Sequence, residues 1–137
     1  WRRARFDKII RDDIRELETI RNISTLELFA ESLRQRVGGL IEFANIALDL
    51  QVAPKTLKHW FDVLEKMYLC FRVTPYSIGM PRAMQKSSKV FFFDNADVIS
   101  DNHSAKLENL VASHLLKRIH FLEDYEGHNM WLAFYSR

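Results

Sequence analysis

The sequence predicts an α+β, mainly helical chain, and two observations support this fold class. Two short helical patterns, at residues 43–51 and 54–67, are separated by a tight break at residues 52–53. Two aromatic-rich runs typical of strands follow, at residues 68–76 and 89–94. Helix, sharp turn, helix and β-hairpin is the element order of a winged helix-turn-helix. We therefore predict that motif at the centre of the chain.

The segment before this motif has two helical patterns. Residues 5–20 carry apolar side chains at a helical period, with charges of both signs between them. Ser24 and Glu27 have the spacing of a capping box, which predicts a new helix over residues 25–36. The glycine pair at 38–39 ends that helix. Its predicted core side chains are Leu26, Phe29 and Leu33.

The two helices of the predicted helix-turn-helix each have one apolar face. Ala47 on the first helix is small enough to let the second helix cross closely. Pro54 suits the first turn of the second helix, because the proton that its nitrogen lacks would have had no helical partner there. The apolar stripe of the second helix predicts contact with a core, and its members are Leu57, Phe61, Leu64 and Met67.

Several polar residues of the second helix lie off that stripe and are predicted to face solvent. A basic, exposed face is what a DNA-reading helix presents to the major groove. The alternative is a solvated face that contacts no partner, which is common for charged helix residues. The candidate DNA-binding residues on this helix are Lys55, Thr56, Lys58 and His59.

The loop between the two predicted strands, residues 77–88, is the predicted wing. Cations in such a loop can contact the phosphates of a DNA backbone, although exposed loops are also commonly basic for solubility alone. The candidate DNA-binding residues of the wing are Arg82, Lys86 and Lys89, the last at the start of the second strand.

Residues 98–137 are predicted to start a second unit, because a helix followed by a strand does not belong to a winged helix. Asp101 or Asn102 can cap a helix over residues 105–121, and residues 130–135 have a strand pattern. One face of this helix carries Leu107, Leu110, Val111, His114, Leu115 and Ile119.

Composition limits the possible functions. The net charge of the 137 residues is only +2, from 20 basic and 18 acidic side chains, so nucleic-acid binding would depend on a local patch. No apolar run approaches the roughly 20 residues of a membrane span, and the amino terminus lacks the apolar segment of a secretory signal. We therefore expect a cytoplasmic protein without a membrane partner. The single cysteine, Cys70, lies in an apolar strand pattern and is predicted to be buried.

Several blocks of the sequence resemble one family throughout. Their order and spacing are similar to the region that follows the nucleotide-binding domain in predicted prokaryotic ATPases of the AAA+ superfamily, long labelled a domain of unknown function. The resemblance implies a parent with an upstream ATPase domain, a winged helix and a downstream nuclease-like α/β domain. The blocks are residues 49–60, 64–69, 74–76, 89–94 and 107–111, with residues 8–14 similar to the segment that leads into them.

Within that parent, the resemblance divides the chain into three parts. Residues 1–22 are the linker helix from the absent ATPase domain, residues 23–97 the winged helix-turn-helix, and residues 98–137 the start of a truncated restriction-endonuclease-like unit. ATP and Mg²⁺ are implied for the upstream domain only. Glu108 is implied to match a glutamate that joins a metal site with residues of later strands. Ala53 departs from the family, which tends to have a hydroxyl residue capping the second helix.

The residues themselves contain no recognisable catalytic, cofactor or metal motif. There is no Gly-rich phosphate loop ending in Lys-Ser or Lys-Thr, so we do not expect this fragment to hydrolyse ATP. The five histidines have neither the paired helical spacing of zinc ligands nor a cysteine partner. We expect a fragment that is not an enzyme and holds no cofactor, within a parent that is an ATPase.

Two functions are therefore weighed. The first is a DNA-binding accessory module, which predicts binding to duplex DNA that weakens steeply as salt rises. The second is a protein-interaction module that docks on its own ATPase domain, another subunit or a target protein. Exposure of Trp1, Trp60 or Tyr76 would favour the second function, because Trp and Tyr are enriched at protein interfaces. DNA binding is the leading hypothesis.

Overall fold

The structure is a computed structural model that describes residues 8–13, 22–76, 87–99 and 103–135. It is α+β and mainly helical, as the sequence predicts. A short π-helical turn, Ile9–Asp13, precedes the first α-helix, and the rest of the helix predicted at residues 5–20 lies outside the described residues. The described elements are α1 (Ile23–Gln35), α2 (Phe43–Leu50), α3 (Pro54–Lys66), β1 (Cys70–Pro75), β2 (Lys89–Phe92), α4 (His103–Glu126) and β3 (Ala133–Phe134).

Helix α1 begins two residues earlier than predicted, and the predicted capping box is wrong. The cap is Asn22, whose side-chain oxygen accepts the backbone N–H of Thr25 at 3.1 Å. Glu27 instead accepts hydrogen bonds from the guanidinium of Arg11, which joins α1 to the π-helical turn. An asparagine oxygen is as good a helix cap as a serine oxygen, so the earlier residue starts the helix.

The three strands form one sheet with the order β2-β1-β3. Strands β1 and β2 are antiparallel and place Cys70 opposite Phe92 and Val73 opposite Lys89. Strand β3 is parallel to β1, with Thr74 opposite Ala133. The strand predicted at residues 130–135 is therefore reduced to two residues on the edge of the hairpin sheet.

Successive residues of a strand point to opposite sides of the sheet, so the β1–β2 hairpin has side chains on both faces. Helices cover both of these faces. Arg72 points toward α3, where it binds Asp62 and Glu65. Phe91, on the other side, lines a cavity together with Ala112 of α4. The predicted core residues of α1 and three of the four on α3 are buried, while Met67 is partly buried.

The outer edge of β2 is also covered. The N–H of Gly38 donates to the Val90 carbonyl at 2.9 Å, and the N–H of Ile41 donates to the Ser88 carbonyl at 2.8 Å. Gly38 has a φ of +75°, and a Cβ there would lie 2.6 Å from a carboxylate oxygen of Glu108. Glycine therefore lets this segment approach both β2 and α4.

The segment predicted to start a second unit shares this sheet. Helix α4 packs on β2, and β3 pairs with β1. The boundary predicted at residues 97 and 98 stays a prediction, but the elements on its two sides are in direct contact. Within the described part of the chain, no helix combines the length and apolar character of a membrane span.

Candidate nucleic-acid interface

The break between α2 and α3 sets the direction of α3. Gln51 ends α2 in the left-handed region with a φ of 55°, and the N–H of Val52 donates back to the Ala47 carbonyl at 3.0 Å. This hydrogen-bond pattern is a common helix ending that reverses the chain. Ala53 is extended, and Pro54 then begins α3, as predicted.

The outer face of α3 carries the predicted candidates. Lys55, Lys58 and His59 are exposed, while Thr56 is half-buried. Lys55 and Lys58 make no ion pair with any residue that the structure describes. Their ammonium groups are therefore available to an anionic partner at the N-terminal end of a helix, which itself favours anions.

Aromatic packing under α3 holds this face in place. Phe61 is fully buried and meets Phe43 of α2 edge-on, with ring centroids 5.8 Å apart. Trp60 is only 5% exposed and lies 6.4 Å from Phe29 of α1. Trp60 therefore belongs to the core. Of the other two aromatic residues predicted to decide for protein docking, Tyr76 is 49% exposed, which favours docking, and Trp1 lies outside the described residues.

The second half of α3 is acidic on its outer side, but its carboxylates are used internally. Glu65 accepts hydrogen bonds from both the backbone N–H and Nε of Arg72, at 2.7 and 2.8 Å, and Asp62 binds the same guanidinium. Burial by itself lowers the pKa of Arg72, but Glu65 and Asp62 outweigh it and raise that pKa. The arginine charge is thus paired, and the first half of α3 carries two exposed lysines while Lys66 adds one at its last turn.

A cleft of about 410 Å³ extends from this end of α3 toward residues 87 and 88, and its lining includes Glu42 and Asp62 as well as basic side chains. Lys58 lines it from α3, and Ser87 and Ser88 line it from the end of the loop before β2. The hydroxyls of these serines can donate hydrogen bonds to a phosphate. Of the predicted wing residues, Arg82 and Lys86 lie outside the described residues.

Lys89, the third predicted wing residue, is turned toward α4 and not toward α3. Its Nζ lies 2.9 Å from a carboxylate oxygen of Glu108 and 5.3 Å from the ring centroid of Phe134. This arrangement brings a cation, a carboxylate and an aromatic ring together from β2, α4 and β3. Lys89 thus helps to attach the C-terminal segment to the hairpin.

Comparison with known families assigns the larger part of the chain. Residues 1–98, of 137 in total, match a family described as a domain of unknown function, DUF8612. The chain belongs to the DUF8612 family. No curated protein and no solved structure matches it. The DUF8612 match contains α1 to α3 and the β1–β2 hairpin, and it ends before α4.

Beyond the DUF8612 match, the sequence pattern did not identify the residue that fixes α4. Asn109 is fully buried, and its side-chain oxygen accepts the N–H of Phe92 at 2.7 Å. Its amide nitrogen donates to the Phe92 carbonyl and to the Asn95 side chain, both at 3.1 Å. The sequence signal that could have predicted this contact is an amide side chain among apolar residues of the helix. A buried amide needs hydrogen-bond partners, so Asn109 would be expected to bind a neighbouring element.

The buried face of α4 is consequently different from its most apolar face. Asn109, Ala112 and Ile119 are buried, whereas Leu107 and Val111 are 62% and 50% exposed. The apolar residues do lie along one side of this helix, as the periodicity predicts, but most of them are exposed to solvent. Asn109 bonds to the backbone of β2 at Phe92, beyond the part of this edge that residues 38–41 cover, and this pairing sets the rotation of the helix.

Cys70 of the DUF8612 domain is a buried thiol, as predicted. Burial, and to a smaller extent the charge of Glu65, raises the pKa of Cys70 far above its ordinary value of 9.0, against a lowering effect of Arg72. The thiol therefore stays protonated at neutral pH and is a poor nucleophile. Among the described residues, no cluster of three or more His, Cys, Asp or Glu side chains could hold a metal ion.

Replacing Ala53 by serine is expected to stabilise the DUF8612 domain by about 1 kcal/mol. Ala53 occupies the cap of α3 and makes no side-chain hydrogen bond, although the helix starts there with unpaired N–H groups. A serine hydroxyl would accept one of them. The measurement is the free energy of unfolding in urea. Ala53→Gly, which adds no acceptor, is the control, and an equal gain in both variants would contradict the explanation.

Proposed function

We propose that this chain is a non-catalytic winged-helix accessory region of an AAA+-type ATPase that binds duplex DNA through α3 and the wing. The observation that carries the proposal is the pair of exposed lysines, Lys55 and Lys58, which lack an ionic partner among the described residues. Exposed cations on the second helix of a helix-turn-helix are positioned for the major groove and its phosphates.

The element order supports the winged-helix interpretation. Residues 38–41 run antiparallel to β2, with Leu40 opposite Lys89, and so add a short strand between α1 and α2. Helix, short strand, two helices joined by a tight turn, and a hairpin is the order expected of a winged helix. Residues 77–86, which contain Arg82 and Lys86, lie between β1 and β2 in sequence and are the proposed wing.

The ATPase context and the nuclease-like assignment of residues 98–137 rest on the resemblance of the sequence blocks. In the resemblance, Glu108 belongs to a metal site completed by later strands. In this chain Glu108 lies 2.9 Å from Lys89, so its carboxylate has a structural partner here. ATP and Mg²⁺ accordingly belong to the proposed parent, and this region supplies the DNA contact.

The test is fluorescence anisotropy of a labelled DNA duplex, titrated with the chain at low salt and at roughly 150 mM salt. Duplex binding is expected to weaken steeply as salt rises, because each neutralised phosphate releases counterions. The double variant Lys55→Glu/Lys58→Glu is expected to lose at least about tenfold in affinity and to have a salt slope smaller by roughly two.

The matched control carries the same charge change away from α3, at the exposed Lys8 and Lys106. If charge at the site matters, Lys8→Glu/Lys106→Glu retains most of the duplex affinity. If both double variants lost the same amount of duplex affinity, the loss would be due to net charge alone, which would contradict a role for α3. Failure of the wild-type chain to bind duplex at low salt would do the same.

A second candidate function is protein docking, which is favoured by the exposed ring of Tyr76 and by an apolar stripe on α4. Leu107, Val111 and Leu115 are exposed and follow one another at helical spacing on the outer side of α4. An apolar stripe of this kind is typical of a helix that contacts a partner. Docking through α4 would leave the lysines of α3 without a role, so the two lysine variants distinguish these functions.

A further inference from the structure

We infer that the cleft between Tyr68, Phe93 and α4 binds single-stranded nucleic acid, at a site separate from the basic face of α3. The cleft consists of two cavities of about 420 and 470 Å³ that share Tyr68, Phe93, Ser113 and His114. Each volume lies in the range of small-molecule sites. The inference does not depend on duplex binding by α3.

The backbone of Tyr68 is the first observation. It has a φ of 55°, in the left-handed region, directly after α3. The N–H of Tyr68 donates to the Glu65 carbonyl at 3.0 Å, and the N–H of Leu69 donates to the Leu64 carbonyl at 3.1 Å. In this helix ending, the left-handed residue is usually glycine. A tyrosine in a strained position, with 72% of its surface exposed, suggests that its ring has a binding role.

The ring of Tyr68 packs against Phe93 on one side and is exposed to solvent on the other. It meets Phe93 edge-on with centroids 5.5 Å apart, and Phe93 in turn lies 5.0 Å from the buried ring of Phe71. The aromatic core thus positions Tyr68 without covering it. An exposed, fixed aromatic ring is the kind of platform on which an unpaired base stacks, whatever its sequence.

Basic side chains and further aromatic rings continue along α4 from this platform. Lys117 and His120 line the second cavity. The guanidinium of Arg118 lies 5.2 Å from the ring centroid of Phe121, which stacks on Tyr125 at 5.4 Å with nearly parallel planes. Alternating rings and cations match a strand whose bases and phosphates alternate.

The chemistry of the cleft favours a single strand over other occupants. Asp94 lines one cavity, but its carboxylate accepts the N–H of Ala96 at 2.8 Å and is held in that turn. The ammonium of Lys117 and the guanidinium of Arg118 on α4 complement phosphates, whereas an apolar helix from a protein would leave them unpaired. Bases inside a duplex are already stacked on each other, so only an unpaired base can lie on the Tyr68 ring.

The two proposed surfaces are far enough apart to be tested separately. Lys58 lies eight residues before the end of α3 at Lys66, which is roughly 12 Å at 1.5 Å per residue, and Tyr68 follows that end. A substitution at Tyr68 therefore leaves the basic end of α3 intact.

The test is anisotropy of labelled oligothymidylate and oligouridylate strands of about ten nucleotides, a length within the usual site size. Tyr68→Gly removes the ring and suits the left-handed backbone. It is expected to weaken binding at least about tenfold, since stacking on one aromatic ring commonly contributes that much. Tyr68→Phe keeps a ring and is expected to keep the affinity. Tighter binding of oligothymidylate would identify single-stranded DNA as the preferred ligand, and tighter binding of oligouridylate would identify RNA.

Gln51→Gly is the matched control, because Gln51 has the same φ of 55° at the end of α2 and lies outside the cleft. Its affinity for single strands is expected to equal that of the wild type. Lys117→Gln, on an exposed helix position, is expected to lower the salt slope by about 0.7 and provides a second variant should Tyr68→Gly fail to fold. An unchanged affinity in the folded Tyr68→Gly variant, or no single-strand binding by the wild type at low salt, would overturn the proposal.

Discussion

Replacing Asn109 by aspartate is expected to lower the free energy of unfolding by about 3–5 kcal/mol at neutral pH. The side chain of Asn109 is fully buried and pairs with both backbone groups of Phe92. A carboxylate can still accept the Phe92 N–H, but it faces the Phe92 carbonyl and the Asn95 side-chain oxygen without a proton to donate. The substitution therefore buries a charge among acceptors.

This loss is expected to depend on pH in a defined direction. Burial beside two oxygen acceptors raises the pKa of the introduced carboxyl in the folded state above its unfolded value of about 3.9. The folded state then holds more protons than the unfolded state at pH values between the two pKa values, so stability falls as pH rises through this range. Guanidinium unfolding at pH 7 and pH 5 measures the difference, and the variant is expected to recover stability at pH 5.

Asn109→Ala is the control for the charge. It removes the same hydrogen bonds and leaves the Phe92 N–H without its partner, at an expected cost of about 2–3 kcal/mol that does not change between pH 5 and pH 7. If both variants were as stable as the wild type, the amide would not be what attaches α4 to β2. Because α4 forms one wall of the Tyr68 cleft, the same substitution is also expected to weaken any ligand bound there.

Replacing Phe61 by alanine is expected to cost about 3–5 kcal/mol of unfolding free energy. Phe61 is fully buried between α2 and the sheet, with Phe43 edge-on at 5.8 Å and the Arg72 guanidinium 4.7 Å from its ring centroid. Removing the ring leaves a cavity that these rigid neighbours fill only partly. Since domains of this size are stable by about 5–15 kcal/mol, the loss is a large fraction of the total.

Phe61→Leu distinguishes the cost of leaving a cavity from the cost of losing the aromatic contacts. It keeps most of the buried volume and is expected to cost less than half as much as Phe61→Ala, measured by urea unfolding. Similar losses in the two variants would indicate that the aromatic contacts dominate over the cavity. Phe61 lies one turn after Lys58 on the buried side of α3, so the alanine variant also tests whether core packing under α3 is needed for the proposed DNA binding.

Helices α2 and α3 follow from local sequence signals. The signals for α3 all lie within that helix and its first turn, so they can be predicted without knowledge of the rest of the chain. They are Pro54, the break at residues 52–53 and the stripe formed by Leu57, Phe61 and Leu64. The same holds for the strand character of β1 and β2. The outward position of Lys55 and Lys58 follows directly, because residues off a buried stripe face solvent.

The sequence by itself determined these helices, the hairpin and the buried thiol of Cys70, whereas tertiary structure decided how the C-terminal segment is used. Helix α4 has an apolar face and an amide-bearing face, and the backbone groups of Phe92 on β2 select the face with Asn109. Lys89 meets Glu108, and β3 lies beside β1, through contacts between residues distant in sequence. Periodicity describes one element at a time, so it cannot reveal which neighbouring element supplies a hydrogen-bond or ionic partner.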